Sequence, residues 1–240
     1  MKGLASLFTI GLMTVLLSFG GNNAQAEAQS EYEGATIHTT PPEEGLYEEL
    51  NGFYVELPYS AEDVTIEKGT SPAGHETVTL VDRETGDIIE TIGLKPADSV
   101  GTMDDRHPLL PPPLIEPPTE EFMEMFSTRE YNGLEVVLNV RFVVTKNAEG
   151  NYEDVVDIRD AWWTTGSGPH TLEDSNTDIL HGDFPVREFT VTGQTTIVTA
   201  IEASARAGFE AAGFSVGVDV SGTYYARMTV RDTMVFDLFS

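Results

Sequence analysis

The sequence predicts an all-β protein: an antiparallel β-sandwich preceded by a small N-terminal β-hairpin module and a proline-rich linker. Apolar and polar residues alternate over long stretches after residue 122, which is the two-residue period of a half-buried strand. Short runs rich in β-branched and aromatic residues come before residue 95. Polar turns containing glycine separate consecutive runs, and such turns join antiparallel strands into hairpins. These three observations predict the fold class.

Composition excludes several classes of function. The 240 residues include 13 Lys plus Arg and 40 Asp plus Glu, which gives a formal net charge of −27. Nucleic-acid binding proteins need a basic surface that displaces counterions from phosphates, so no nucleic-acid partner is expected. The chain has no cysteine, which rules out disulfides, thiolate zinc sites, iron–sulfur clusters and cysteine nucleophiles.

Residues 1–26 have the pattern of a secretory signal peptide. Lys2 is followed by an apolar run over residues 4–19 and then by Ala24-Gln25-Ala26, a small-residue cleavage site. An uncleaved membrane anchor is the alternative, but the run is short for a membrane span. We therefore expect a secreted protein, and a secreted chain without cysteine suggests a bacterial host, with Gram-positive bacteria favoured.

The first half of the chain is predicted to contain three segments. Residues 27–44 are acidic and poor in large apolar groups, which indicates a disordered leader. Residues 45–95 form the small β module, in which a turn after Asp82 makes residues 77–92 a hairpin. The module is too small to be stable alone, so we expect it to dock on the main domain. Residues 96–121 are the proline-rich linker, whose natural conformation is polyproline II.

Residues 122–240 are predicted to form the sandwich domain. Alternation over residues 134–144 indicates a long strand, and a polar turn over 146–151 closes a hairpin onto residues 152–158. From residue 195 the alternation continues to residue 230, with a change of phase at Ala211-Ala212-Gly213 that indicates a bulge or tight turn. Because alanine favours helices, a short helix over 201–212 is the alternative to a strand there.

A polar stretch after the tryptophans is the candidate metal site. The spacing of Asp174, Asn176 and Asp178 places three oxygen donors as a calcium loop would. The glycine and the bidentate glutamate of such a loop are missing, because Ile179 and Pro185 stand at those positions. His170 and His181 could add zinc ligands, but their spacing determines no geometry. An exposed loop without a metal is the competing interpretation.

Trp162 and Trp163 are the candidate ligand-binding residues. Neighbouring side chains on a strand point to opposite faces, so one indole is expected to enter the core and the other to face outward. An outward indole can stack on a sugar ring or on a protein partner. Burial of both at a strand end is the competing interpretation.

Three functions remain as hypotheses, since no linear catalytic motif is present. The first is a secreted noncatalytic β module with a binding or structural role on an extracellular polysaccharide or a cell-envelope component. The second is a membrane-active protein that forms pores with an amphipathic hairpin in residues 195–230, in which case the membrane is a partner. The third is a secreted hydrolase, because carboxylates that meet only in the fold leave no linear signal.

Overall fold

The computed structural model describes residues 34–96 and 118–238, which form two β-sheets packed face to face. The all-β sandwich is therefore confirmed. In chain order the strands of these two ranges are β1 (Thr36–His38), β2 (Leu46–Leu50), β3 (Phe53–Leu57), β4 (Val64–Thr70), β5 (Glu76–Asp82), β6 (Ile88–Pro96), β7 (Thr119–Tyr131), β8 (Leu134–Lys146), β9 (Tyr152–Thr165), β10 (Thr171–His181), β11 (Glu188–Ile201), β12 (Ser215–Val218) and β13 (Tyr224–Asp237).

The two sheets have different connectivity. The first has the order β10-β11-β13-β1-β3-β2, and β12 pairs with residues 224–227 at the start of β13. The second is the simple meander β4-β5-β6-β7-β8-β9. β1 runs parallel to β13 and antiparallel to β3, so this three-residue strand joins the two halves of the first sheet.

The segments predicted for the first half of the chain differ in part from the strands of the structure. The module of residues 45–95 does not stand apart, because β2 and β3 belong to the first sheet and β4–β6 to the second. β1 lies within the leader predicted to be disordered, and β7 begins at Thr119, inside the predicted linker. The signal peptide, the start of the leader and residues 97–117 of the linker lie outside the described residues.

Both predicted hairpins are confirmed. β5 and β6 pair through a turn that contains Gly86, and β8 and β9 pair through a turn that contains Gly150. Each glycine has a positive φ, 77° at Gly86 and 87° at Gly150, which glycine adopts without a steric cost.

The prediction of a strand over residues 201–212 is wrong beyond Ile201, and the alternative prediction of a short helix is confirmed. β11 ends at Ile201, and a 3-10 turn (Ala203–Ala205) leads into α1 (Arg206–Ala211). No helix in the described part of the chain is long and apolar enough to cross a membrane.

The apolar side chains of the described residues form two clusters between the sheets. The larger joins the middle of both sheets and contains the rings of Phe142, Phe189 and Phe236, of which Phe189 and Phe236 are stacked and Phe142 contacts both at an angle. The smaller lies toward the end of β11 where Ile201 is located, and α1 and β12 contribute to it. Its buried members are Leu134, Val136, Ile197, Phe214, Ala226 and Val230.

Candidate functional site

The longest strand pair of the first sheet is the scaffold of the candidate site. β11 and β13 have 14 residues each and pair antiparallel in one uninterrupted register, from Glu188 opposite Asp237 to Ile201 opposite Tyr224. Their inward side chains alternate with outward threonines, glutamine and arginines, so each strand is amphipathic. The two strands diverge after the Ile201–Tyr224 pair.

We call residues 202–223, which join these strands, the connecting segment. It consists of the 3-10 turn, α1, β12 and a final turn. Neither the 3-10 turn nor α1 has a buried residue, and no side chain caps the start of either. Phe214, which is 3% exposed, and the half-buried Phe209 attach the segment to the smaller cluster, with their ring centroids 5.1 Å apart.

The end of α1 is determined locally. The Gly213 N–H donates to Glu210 O at 3.2 Å, and the Phe214 N–H donates to Phe209 O at 2.9 Å. With Gly213 at φ +90° and a contact between the two Phe rings, this is the Schellman pattern. The phase change predicted here is therefore the end of a helix.

The last part of the connecting segment exposes apolar side chains. Val218 is 60% exposed and Val220 is fully exposed. Between them Asp219 accepts hydrogen bonds from the Ser221 hydroxyl and from the Ser221 and Thr223 N–H groups. These bonds, that of the Ser221 hydroxyl first, lower the pKa of Asp219. The turn is thus held by polar bonds, while two valines face solvent.

The two tryptophans of β9 face opposite sides of the sheet, as the alternation predicts. Trp163 packs against both apolar clusters, and its Nε1 donates to Asn176 O at 3.1 Å. A Cβ on Gly193 would come within 2.7 Å of that nitrogen, so only glycine leaves room for the indole. Trp162 belongs to neither cluster, and the Arg141 guanidinium lies 5.4 Å from its ring centroid.

The structure does not bring the candidate metal ligands together. His170 precedes β10. The other candidate ligands lie along this strand or at its end, and they are Asp174, Asn176, Asp178 and His181. Eleven residues of extended chain at about 3.3 Å each place His170 and His181 roughly 36 Å apart. Among the described residues no group of three or more His, Cys, Asp or Glu side chains is arranged to hold a metal ion. Ile179 and Leu172 pack on the apolar clusters, which is why a strand forms here.

A buried polar cluster between the sheets was not anticipated from the sequence. Ser127 Oγ lies 2.7 Å from Glu90 Oε1 and 2.6 Å from Asp232 Oδ2, and the Arg129 guanidinium contacts both carboxyl groups at 3.6 and 3.2 Å. The carboxyl side chains are 0% and 1% exposed. Burial raises the pKa of Asp232 to about 6, an effect that Arg129 opposes and Glu90 adds to.

The position of Asp232 contains the signal that could have revealed this cluster. Asp232 lies in phase with the buried apolar residues Val230 and Met234 of β13, where a charged side chain needs a partner. The two carboxyl side chains are almost completely buried, so a substrate in solvent does not reach them in this structure. The members of the cluster lie on β6, β7 and β13, so their hydrogen bonds join the two sheets.

Comparison of the chain with protein families, with curated proteins and with solved structures finds no match.

Proposed function

We propose that this is a secreted pore-forming protein whose connecting segment unfolds from the sandwich and becomes a membrane-spanning β-hairpin. The observation that carries the proposal is the β11–β13 register. When that register is continued past Ile201 and Tyr224, it pairs Glu202 with Thr223 and Ala211 with Phe214. Ala212-Gly213 is then a two-residue turn, the shortest connection common in hairpins.

In this extended pairing the two faces of the hairpin separate completely by polarity. One face carries only apolar residues and glycine: Ala203, Ala205, Ala207, Phe209, Ala211, Phe214, Val216, Val218, Val220 and Gly222. The other carries only polar residues and glycine: Glu202, Ser204, Arg206, Gly208, Glu210, Ser215, Gly217, Asp219, Ser221 and Thr223. A hairpin in a pore wall needs this division between lipid and water.

The length also fits. Each arm of the extended hairpin has ten residues, 202–211 and 214–223, and a tilted strand needs about 9–11 residues to cross the hydrocarbon core. Every backbone N–H and C=O must be paired in that environment, so the hairpins of several copies would have to pair side by side into a closed ring.

The free energy needed to release the connecting segment from the sandwich is moderate. Its apolar attachment is formed mainly by Phe214 and Phe209, and full burial of two Phe side chains contributes about 3–6 kcal/mol. α1 contributes little stability of its own, because it has six residues and no side-chain N-cap. Transfer of the apolar face into lipid can therefore offset the loss of these contacts.

A disulfide that holds β12 on β13 tests the conversion. Ser215 is opposite Arg227 in the structure but opposite Glu210 in the extended hairpin, and directly opposed strand residues are close enough for a disulfide. Oxidised S215C/R227C should release no dye from phosphatidylcholine/phosphatidylglycerol vesicles, and a reducing agent should restore release. The absence of native cysteine keeps the experiment free of side reactions.

The matched control is T196C/T229C. Thr196 and Thr229 are opposite each other on β11 and β13, with their hydroxyls 3.1 Å apart, and they remain paired in the extended hairpin. This disulfide should leave dye release unchanged. Release by oxidised S215C/R227C at the wild-type rate, or no release by the wild-type chain from vesicles of any composition, would reject the proposal.

A second candidate function is binding to an extracellular polysaccharide through the sheet face that carries Trp162. Beside this indole, neighbouring strands place charges of alternating sign in one row, with Asp160 opposite Arg141 and Glu124 opposite Lys95. Arg141 donates to Glu124 at 2.7 Å. The apolar face of such a ring can pack on a sugar, and the polar groups beside it can bind the sugar hydroxyls.

Tryptophan fluorescence separates this candidate from the first. In W163F the emission comes from Trp162 alone and should shift during titration with a cell-wall polysaccharide, while in W162F it should not. A W163F spectrum that stays constant up to saturating polymer rejects the sugar stack. That result leaves the dye-release experiment unaffected, because the two functions use different parts of the molecule.

A further inference from the structure

We infer that the pore selects cations, and that Glu202 and Glu210 are the residues that determine this selectivity. The inference rests on the proposed function and adds a substrate class to it. The polar face of the extended hairpin has four charged residues, which are Glu202, Arg206, Glu210 and Asp219. A pore wall with more carboxylates than cations attracts cations and repels anions.

When the connecting segment changes from helix to extended hairpin, Arg206 changes its ion-pair partner. In the structure the Arg206 guanidinium contacts Glu210 Oε1 at 2.7 Å, because residues four apart lie on one side of a helix. In a strand the same two residues are about 13 Å apart, at roughly 3.3 Å for each residue, so this ion pair is lost. The helix therefore neutralises a glutamate that the hairpin leaves free.

In the extended register Arg206 is directly opposite Asp219. Directly opposed residues on one face of an antiparallel pair are close enough for an ion pair. Asp219 is available for this pairing, because the turn that it stabilises in the structure disappears on conversion. The charges of Arg206 and Asp219 cancel midway along the hairpin.

The two glutamates keep their charge. Glu202 is opposite Thr223 and Glu210 is opposite Ser215, so neither has a cation across the hairpin. Eight residues of strand place them about 26 Å apart along the arm, one near the protein body and one near the turn. In a ring of identical subunits each glutamate becomes a ring of carboxylates, so both entrances of the pore are acidic.

The reversal potential of single channels in a planar bilayer under a KCl gradient measures this selectivity. The wild-type channel should be several-fold more permeable to K⁺ than to Cl⁻, and E202Q/E210Q should lower that ratio to near one. R206Q should raise it, because the carboxylate of Asp219 is then uncompensated. The matched control is E149Q, an exposed carboxylate in the β8–β9 turn outside the hairpin, which should leave the ratio unchanged.

The possible outcomes separate the two proposals. If the wild-type chain gives no conductance, the proposed function fails. If it conducts but prefers Cl⁻ or shows no preference, the pore stands and the assignment of cation selectivity is overturned. A cation preference that E202Q/E210Q leaves intact overturns the assignment to these glutamates, because a variant that conducts has formed the pore.

Discussion

The buried cluster predicts an unusual dependence of stability on pH. Ser127 has one hydroxyl hydrogen, yet its oxygen lies within 2.7 Å of two carboxyl oxygens, those of Glu90 and Asp232. If both carboxyls were ionised, the hydroxyl could donate to only one, and the other oxygen would face a lone pair. A proton held on Asp232 removes this conflict, which agrees with the raised pKa of this residue.

The direction and the size of the stability change follow from the pKa shift of Asp232. The folded pKa of Asp232 is about 6, whereas its ordinary value is 3.8, so the folded state binds the proton more tightly than the unfolded state. Its contribution to stability is complete below about pH 4 and is lost as the pH rises through about 6. At about 1.4 kcal/mol for each pKa unit, the loss is on the order of 3 kcal/mol.

Asp232→Asn isolates this effect, because the amide is neutral at every pH. Urea denaturation of both chains from pH 4 to pH 8 measures their free energies of unfolding. The value for the variant should rise relative to that of the wild type as the pH rises, by about 3 kcal/mol in total. Carboxylates outside the cluster titrate alike in both chains and cancel in the difference, so the difference reports the Glu90–Asp232 pair. The control Asp219→Asn should show a nearly constant difference from wild type over this range, because hydrogen bonds lower the pKa of that exposed residue below its ordinary value of 3.8 and its contribution to stability is lost only below about pH 4. A difference between D232N and wild type that does not vary with pH would refute the reasoning.

Three further predictions concern single positions. Phe214→Ala removes the buried ring that attaches the connecting segment, so the free energy of unfolding should fall by about 3 kcal/mol or more and amide exchange of residues 206–218 should become faster; unchanged exchange would contradict the attachment. Gly193→Ala places a Cβ 2.7 Å from Trp163 Nε1, and should cost about 1–3 kcal/mol and change the near-UV circular dichroism; an unchanged urea midpoint would contradict the packing. Gly213→Ala, at φ +90°, should destabilise the end of α1 by about 1 kcal/mol, seen as faster amide exchange of Phe214; unchanged exchange would contradict the helix end.

Much of the strand pattern was predictable because alternation is a local property. The even-numbered residues 134–144 of β8 are all buried as predicted, β13 alternates between the core and the outer face, and the turns at Gly86 and Gly150 have the residues that tight turns require. A strand of three residues such as β1 has too few positions to show a period. It forms because the open edges of β3 and β13 offer it hydrogen bonds on both sides.

The candidate sites were less predictable. The opposite orientations of Trp162 and Trp163 follow from strand geometry alone. The ligands proposed around Asp174 were expected in a loop, but their neighbours Leu172 and Ile179 have apolar surfaces to pack against, and this packing draws the segment into β10. Glu90, Ser127 and Asp232 are far apart in the chain, and their meeting depends on how the two sheets face each other.

Residues 202–223 show most directly what sequence and fold each contribute. The order of residues determines that these positions form two clean faces when extended, because side chains alternate along any strand. It does not determine that they are extended, since alanine also suits a helix. Contacts of Phe209 and Phe214 with a cluster built from β8, β11 and β13 favour the helical form in this structure. The register of β11 on β13, itself a product of the folded sheet, specifies which residues would meet if that form were released.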